Sequence, residues 1–541
     1  MTPKPLSKTL LLAGALAFGL AFAPARAASL DIDNATIAEV DAALNSGKLT
    51  SEQLVGLYLK RIAAYDKQGP TINAVILLNP KAMDEARALD KERKEKGPRS
   101  PIHGIPIVLK DNYNTYDLPT TAGSQLLHGS IPPGDAFVVK KLRDAGAIVL
   151  AKVNLSEFAG CCGGGGRPAV PNGFSSEGGQ TRNPHDLTKG PSGSSGGTGA
   201  GIAAAFAQFG LGTDTGGSIR GPSSANGIVG LKPTRGLMSR AGIVPLALSF
   251  DTGGPMARNV YDVAVSLGIM TGVDPADPAT QASAGKFDTD YTKYLKKGAL
   301  KGARIGVARD FFKQNADTDR VMEASIAKLK ELGATVIDPV NYPEYLLQAR
   351  QSLLMMVVNS EFKVQIADYL ATLKPGFPRT LGELAAKAAD PATAYRSPEK
   401  RDGLKNVDET ALDVNDPLFI TARDQGLALV RQNVLDLFAK YKLDALVYPT
   451  SPRPAAPITP PPPGSAPLGG SATGIANMSG FPDLIVPAGM SSDGLPVTIS
   501  FFGPAWSEAK LLGYGYDFEQ ATMARVLPKH TPALPSDVVK Y

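Results

Sequence analysis

The chain has 541 residues, 43% of them hydrophobic and 20% charged, and a formal net charge of +5. That balance fits an ordinary globular protein. Three of the positive charges (Lys4, Lys8 and Arg26) fall in the first 27 residues, which hold no acid, so the remainder carries about +2 and has no basic field for nucleic acid or an anionic membrane.

Those first residues have the form of a secretory signal peptide. Lys4 and Lys8 supply the positive start, Leu10 to Ala23 is apolar, and Ala25-Arg26-Ala27 is a small-x-small cleavage site. The apolar run is short for a membrane span. The expectation is a segment 1–27 that is removed, a mature chain 28–541, and a periplasmic or secreted location.

Beyond it, Thr36 with Glu39 and Thr50 with Gln53 form two capping boxes. The second opens a helix that carries Leu54, Leu57, Tyr58, Arg61, Ile62 and Tyr65 at helical spacing. Ile105 to Leu109 reads as a buried strand, with Pro106 marking an edge or a strand start. Asp135 is a candidate cap for a helix through Val138, Val139 and Leu142 that stops at Gly146, and Ala147 to Ala151 follows as a strand. Helix, glycine, apolar strand is α/β grammar.

Gly160 to Gly179 is glycine-rich and irregular, and Gly199 to Phe209 suits a tightly packed helix. Asp317 to Leu332 reads as a helix stopped by Gly333. Leu418 to Tyr441 reads as another, with Asp416 as N-cap and Pro417 at its first position. Asp444 to Tyr448 is a strand, 452–467 a proline-rich extended loop, and Glu508 to Thr522 a terminal helix. The simplest organisation is one α/β domain with helical insertions.

The two cysteines, Cys161 and Cys162, are adjacent. They exclude a disulfide framework, and a vicinal pair closes a strained ring, so two reduced thiols are expected. The four histidines (His103, His128, His185 and His530) are scattered. No Walker A, HExxH or clustered metal-ligand pattern occurs, so no cofactor or metal is expected.

The chemistry is concentrated between Gly190 and Thr234. Gly193-Ser194-Ser195-Gly196-Gly197 and Thr215-Gly216-Gly217-Ser218 wrap two serines, Ser194 and Ser218, that lie 24 residues apart. Upstream, PIHGIPIVLKDN places Lys110 at the end of the apolar strand. Cleaving an amide needs an activated nucleophile, a proton carrier and donors for an oxyanion. Ser218 can attack, Ser194 can relay a proton, and Lys110 can be the final base if burial disfavours its ammonium form. Glycines 216 and 217 leave backbone N–H groups open to an oxyanion.

These motifs, with AKVNLSEF, GGQTRNPHDL, DTGGPMARNVYDVA, DALVYPTSP and GFPDLIVPAG, resemble the amidase signature family of serine hydrolases. The resemblance implies a mixed β-sheet covered by helices and a Ser–Ser–Lys triad: nucleophile Ser218, bridging Ser194, base Lys110. It also implies an oxyanion hole on the N–H groups of Thr215, Gly216, Gly217 and Ser218, and a cis peptide at Gly193-Ser194. Asp214 and Arg220 are read as braces of the nucleophile loop.

Rival motifs fit less well. Gly193 to Gly197 matches G-x-S-x-G with Ser195 at the elbow, but only His530 stands well downstream. Ser325 to Lys328 and Ser507 to Lys510 match S-x-x-K without its companion motifs.

Ser224 to Gly230 and Ser249 to Met256 look most like the bacterial peptide amidase branch, which implies C-terminal peptide amides as substrates. Aryl or acyl amides are the alternative, and the amidotransferase component that deamidates glutamine is a further one. The stretch Gly160 to Gly166, uncharged until Arg167, suggests an apolar acyl pocket. A non-catalytic binding protein on the same scaffold is the reading that intact Lys110, Ser194 and Ser218 oppose.

Overall fold

Among the described residues, eleven strands form one mixed sheet. The computed structural model describes residues 1–2, 29–162, 170–459 and 472–540. Residues 3–27 of the signal-peptide reading, Gly163 to Gly166 with Arg167, and positions 460–467 of the proline-rich loop lie outside the described residues.

From one edge to the other the strands run Thr335–Val340, Arg304–Ala308, Ala445–Pro449, Pro496–Phe502, Asp483–Met490, Val229–Lys232, Thr252–Ala257, Phe209–Asp214, Pro106–Lys110, Ile148–Val153 and Val75–Leu78. Phe209–Asp214, Pro106–Lys110 and Ile148–Val153 are mutually parallel, and so are the three strands at the opposite edge. The middle of the sheet is antiparallel. Pro106–Lys110 and Ile148–Val153 are buried at every position, as strands covered on both faces must be, and this is why they read as unbroken apolar runs.

Helices Val260–Met270, Ala316–Glu331 and Glu508–Thr522 pack on the sheet. A second apolar cluster joins helices Glu344–Ala371, Pro398–Thr410 and Leu427–Tyr441 to the loops around Phe158 and Phe250. It backs the site described below. Among the described residues no helix is long and apolar enough to cross a membrane.

Both capping boxes are formed. Helix Ser51–Tyr65 buries Leu54, Leu57, Tyr58, Arg61, Ile62 and Tyr65, the face its spacing announces. Pro106 opens its strand in the interior of the sheet, so its missing N–H costs no ladder bond.

Four expectations are corrected. Asp135 does not cap the helix, which is Phe137–Asp144 with Ala136 as its N-cap. Its carboxylate instead accepts from the Tyr116 N–H at 3.0 Å and faces Arg143 at 3.3 Å. The Gly199 to Phe209 helix is Gly196–Ala203, and Phe209 begins the next strand, because Ala205 takes a positive φ of 54° and turns the chain.

Leu418 to Tyr441 is not one regular helix. Asp416 does cap Leu418 at 2.7 Å, but a π-helical turn, Thr421–Gly426, separates Pro417–Ile420 from Leu427–Tyr441. Leu353 packs where a side chain at Gly426 would stand. Finally, Cys161 and Cys162 are not two free thiols but a vicinal disulfide. Cys162 takes a positive φ of 55°.

Candidate active site

Strand Pro106–Lys110 ends by delivering Lys110 into the interior, where it is fully buried. The neighbouring strand Phe209–Asp214 brings Thr213 beside it, and the turn before helix Gly196–Ala203 brings Ser194. Lys110 Nζ lies 2.7 Å from Ser194 Oγ, 2.7 Å from Thr213 Oγ1 and 3.5 Å from the Thr213 carbonyl. A neutral amine has two N–H donors and one lone pair. The two contacts to Thr213 match the donors, which leaves the lone pair for the Ser194 hydroxyl proton.

Burial pushes the Lys110 amine down to about 7, with Asp214 and Asp251 pulling the other way. Near pH 7 the neutral and ammonium forms are therefore both populated. Ser194 itself is 2% exposed and follows a cis peptide, Gly193-Ser194.

Ser218 sits one layer outward, half-buried, on the wall of a cavity of about 530 Å³. Its carbonyl accepts from the Ser195 N–H at 3.1 Å, which ties the two serine loops together. The Ser218 hydroxyl makes no hydrogen bond to another described residue, so the Ser218–Ser194 link is not closed in this state. Such bonds commonly tighten only when substrate binds.

The loop between strand and nucleophile is braced by Asp214. Its carboxylate accepts from the Gly217 N–H at 2.8 Å and the Ile219 N–H at 2.9 Å. Arg220 donates to it through Nε and Nη2, both at 3.1 Å, and Asn477 through Nδ2 at 2.8 Å. Burial alone would raise this carboxyl. Arg220, Asn477 and the Ile219 N–H outweigh it and hold Asp214 well below the ordinary carboxylate range. Arg220 continues to Asp483 at 2.9 Å and to the Thr473 carbonyl at 2.8 Å.

One expectation changes here. The Gly217 N–H, expected among the oxyanion donors, is engaged by Asp214 at 2.8 Å in this geometry. The N–H groups of Thr215, Gly216 and Ser218 make no hydrogen bond to a described residue and stay available. Gly217 has another duty: its φ of 129° is open to glycine, and a Cβ there would collide with Thr473.

Ser195 is fully buried and turned from the cavity. Its hydroxyl donates to the Thr213 carbonyl at 3.2 Å and accepts from the Thr213 N–H at 3.3 Å, so it is a brace and not an elbow nucleophile.

Reading the sequence alone missed four supporting residues. Thr213 and Asn112 (whose Nδ2 meets Thr213 Oγ1 at 3.0 Å) furnish the lysine's surroundings. Asp251 receives the Thr215 hydroxyl and the Leu246 and Ala247 N–H groups. Asp483 closes the Arg220 network. Asn112 closes the quoted motif PIHGIPIVLKDN, and the two acids stand inside DTGGPM and GFPDLIVPAG, where an acid in an apolar run was the available signal. Among the described residues no group of His, Cys, Asp and Glu is arranged to hold a metal ion.

The chain matches known proteins along most of its length. The family model described as Amidase matches residues 53–512. A probable amidase of Arabidopsis thaliana is 35% identical over 518 residues, 93% of this chain and 92% of the plant protein. A glutamyl-tRNA(Gln) amidotransferase subunit from Thermoanaerobacter pseudethanolicus is 35% identical over 512 residues, 92% of this chain and 99% of the bacterial one. The crystal structure of native peptide amidase from Stenotrophomonas maltophilia superposes with a TM-score of 0.85 at 39% identity, covering 92% of this chain and 99% of that one. The mixed sheet with its covering helices is the fold of those enzymes.

Proposed function

We propose, from the premise that this chain belongs to the amidase family of amide hydrolases, that it cleaves carboxamides through Ser218, Ser194 and Lys110. The observation that carries this is the 2.7 Å contact between a buried Lys110 amine, whose basicity burial pushes down to about 7, and the Ser194 hydroxyl, one layer beneath a cavity-facing Ser218.

In this mechanism Ser218 Oγ attacks the amide carbonyl carbon as its proton passes to Ser194 Oγ and the Ser194 proton passes to Lys110 Nζ. The N–H groups of Thr215, Gly216 and Ser218 receive the oxyanion. On collapse the C–N bond breaks, and the proton returns from Lys110 through Ser194 to the departing nitrogen. Water then repeats the sequence on the acyl–Ser218 ester, releasing acid.

The substrate reading is the C-terminal carboxamide of a peptide. The likeness to peptide amidase along nearly the whole chain and the signal-like start, with export and a mature terminus at Ala28, support it. An enzyme outside the cytoplasm meets peptides rather than aminoacylated tRNA.

The likeness to the Thermoanaerobacter amidotransferase component supports the second reading, deamidation of glutamine. A panel of peptide carboxamides, aryl amides, and glutamine with and without tRNA, run on the protein purified from the periplasm, separates them. Turnover of peptide carboxamides, with hydroxylamine diverting the acyl group to a hydroxamate, is expected. Glutamine as sole substrate, dependent on tRNA, would reverse the choice. An N-terminus still carrying residues 1–27 would turn the first segment into an anchor.

A further inference from the structure

Segment 451–458 arches over the cavity and forms much of its wall. Both feet of the arch are pinned. Thr450 donates its N–H to the Thr498 carbonyl at 3.3 Å, while Gly190 donates to Ala456 at 2.9 Å and Ile458 to Thr188 at 3.0 Å. Those last two bonds join the arch to the strand-like stretch leading into Ser192, Gly193 and Ser194.

Arg453 stands in this arch between Pro452 and Pro454. The two rings fix their own φ, and Pro454 holds Arg453 to an extended backbone, so the base of its side chain is set before any ligand arrives.

Arg453 is the one charged residue among the described residues lining the cavity. It makes no ion pair or hydrogen bond to a described residue. Nor does the sequence offer an acid in the adjoining stretches: 163–169 and 460–471 contain no Asp or Glu. The first of those stretches holds Arg167, which lies outside the described residues; two described cations stand behind the cavity wall. Arg220 is balanced by Asp214 and Asp483, and Lys110, pushed down to about 7 by burial, contacts Ser194 and Thr213 beneath the wall. Among the described residues the cavity is a concave, mostly apolar wall with one unpaired, solvent-exposed guanidinium at its edge, a placement that raises the local positive potential. The planar fork of arginine suits a carboxylate in particular.

We infer that Arg453 makes this enzyme prefer amides whose acyl portion carries a carboxylate, such as peptide carboxamides with an acidic side chain near the scissile end. This rests on the amide-hydrolase reading above and replaces the expectation of a charge-free acyl pocket.

The test compares kcat/KM for three sets of acetylated peptide carboxamides in which Glu, Gln or Lys occupies the first, second or third residue counted back from the amide. Wild type is expected to favour Glu over Gln by about three- to five-fold at one position, the scale of a partly exposed ion pair, and to disfavour Lys. Raised salt should shrink the ratio. Arg453→Gln should bring it to about 1, Arg453→Glu should invert it, and Arg453→Lys should retain part of it.

A second measurement does not depend on the leaving group. A fluorophosphonate with a terminal carboxylate should label wild type faster than its methyl ester, and Arg453→Gln should equalise the two rates. No charge preference in wild type, or one that survives Arg453→Gln, overturns the inference while leaving amide hydrolysis standing. Carboxylate-dependent labelling in a protein that turns over no peptide carboxamide would keep Arg453 in its role and remove the peptide substrate.

Discussion

The N–H of Ser195 reaches the carbonyl of Ser218 at 3.1 Å, so the loop that holds the buried serine and the loop that holds the cavity serine are one hydrogen-bonded unit. Ser194 and Ser218, 24 apart in sequence, are therefore held near one another, and the lysine that contacts Ser194 is coupled to Ser218.

The three serines should separate by role. Ser218→Ala should lose roughly 10⁴-fold or more in kcat, because the attacking oxygen is gone. Ser194→Ala should lose roughly 10²- to 10⁴-fold, the worth of a proton relay. Ser195→Ala should retain turnover and lose on the order of 1 kcal/mol of stability through its contacts with Thr213. Steady-state rates with denaturant midpoints check all three, and a dead Ser195→Ala beside a live Ser194→Ala would restore the elbow reading.

Activity should rise with pH through about 7 to a plateau, since the neutral Lys110 amine is the working form. Lys110→Ala should be severely impaired and lose that limb. Stability carries the same signature. The folded-state pKa lies below the ordinary lysine value, so between about 7 and about 10.5 the unfolded chain binds the extra proton. Wild type should therefore gain stability relative to Lys110→Met as pH rises through that window, with no relative change below it. Chemical denaturation of both proteins at a series of pH values measures the difference.

Asp214→Ala should destabilise by about 3 kcal/mol or more, because it strips a fully buried Arg220 of one of its two carboxylates and frees the Gly217 and Ile219 N–H groups. Asp214→Asn should be milder in stability yet poor in rate. Urea midpoints and kcat measured together distinguish bracing from chemistry.

Gly217→Ala should cost about 100-fold in kcat/KM with a smaller loss of stability. Its φ of 129° strains any side chain and Thr473 occupies the place of the Cβ, so the nucleophile loop must shift, and displacements near 1 Å carry penalties of that size. Kinetics with the same substrate before and after the change reads it.

The Cys161–Cys162 pair should be oxidised in protein isolated from an oxidising compartment. Intact mass should be two hydrogens lighter than after reduction, with no alkylation until reductant is added. Two alkylated thiols without reductant would restore the free-thiol reading.

What was readable from residue order is mostly local. The capping boxes, the Ser51–Tyr65 face, the Ala316–Glu331 helix with Gly333 after it, and the Glu508–Thr522 helix depend on interactions a few residues apart, so spacing reveals them. Lys110, Ser194 and Ser218 were legible because each stands in a motif of unusual composition, glycine-wrapped or strand-terminal.

Tertiary structure decided the rest. Asp135 looks like a cap until Arg143 and Tyr116 compete for it, and the helix before Tyr441 looks regular until Leu353 packs against Gly426. The Gly217 N–H looks free in a glycine-rich loop until Asp214 takes it. The depressed basicity of Lys110 and the closure of the Arg220 network by Asp483 depend on which distant strands become neighbours. That pairing is set by the packing of the whole sheet, over separations at which local spacing carries no information.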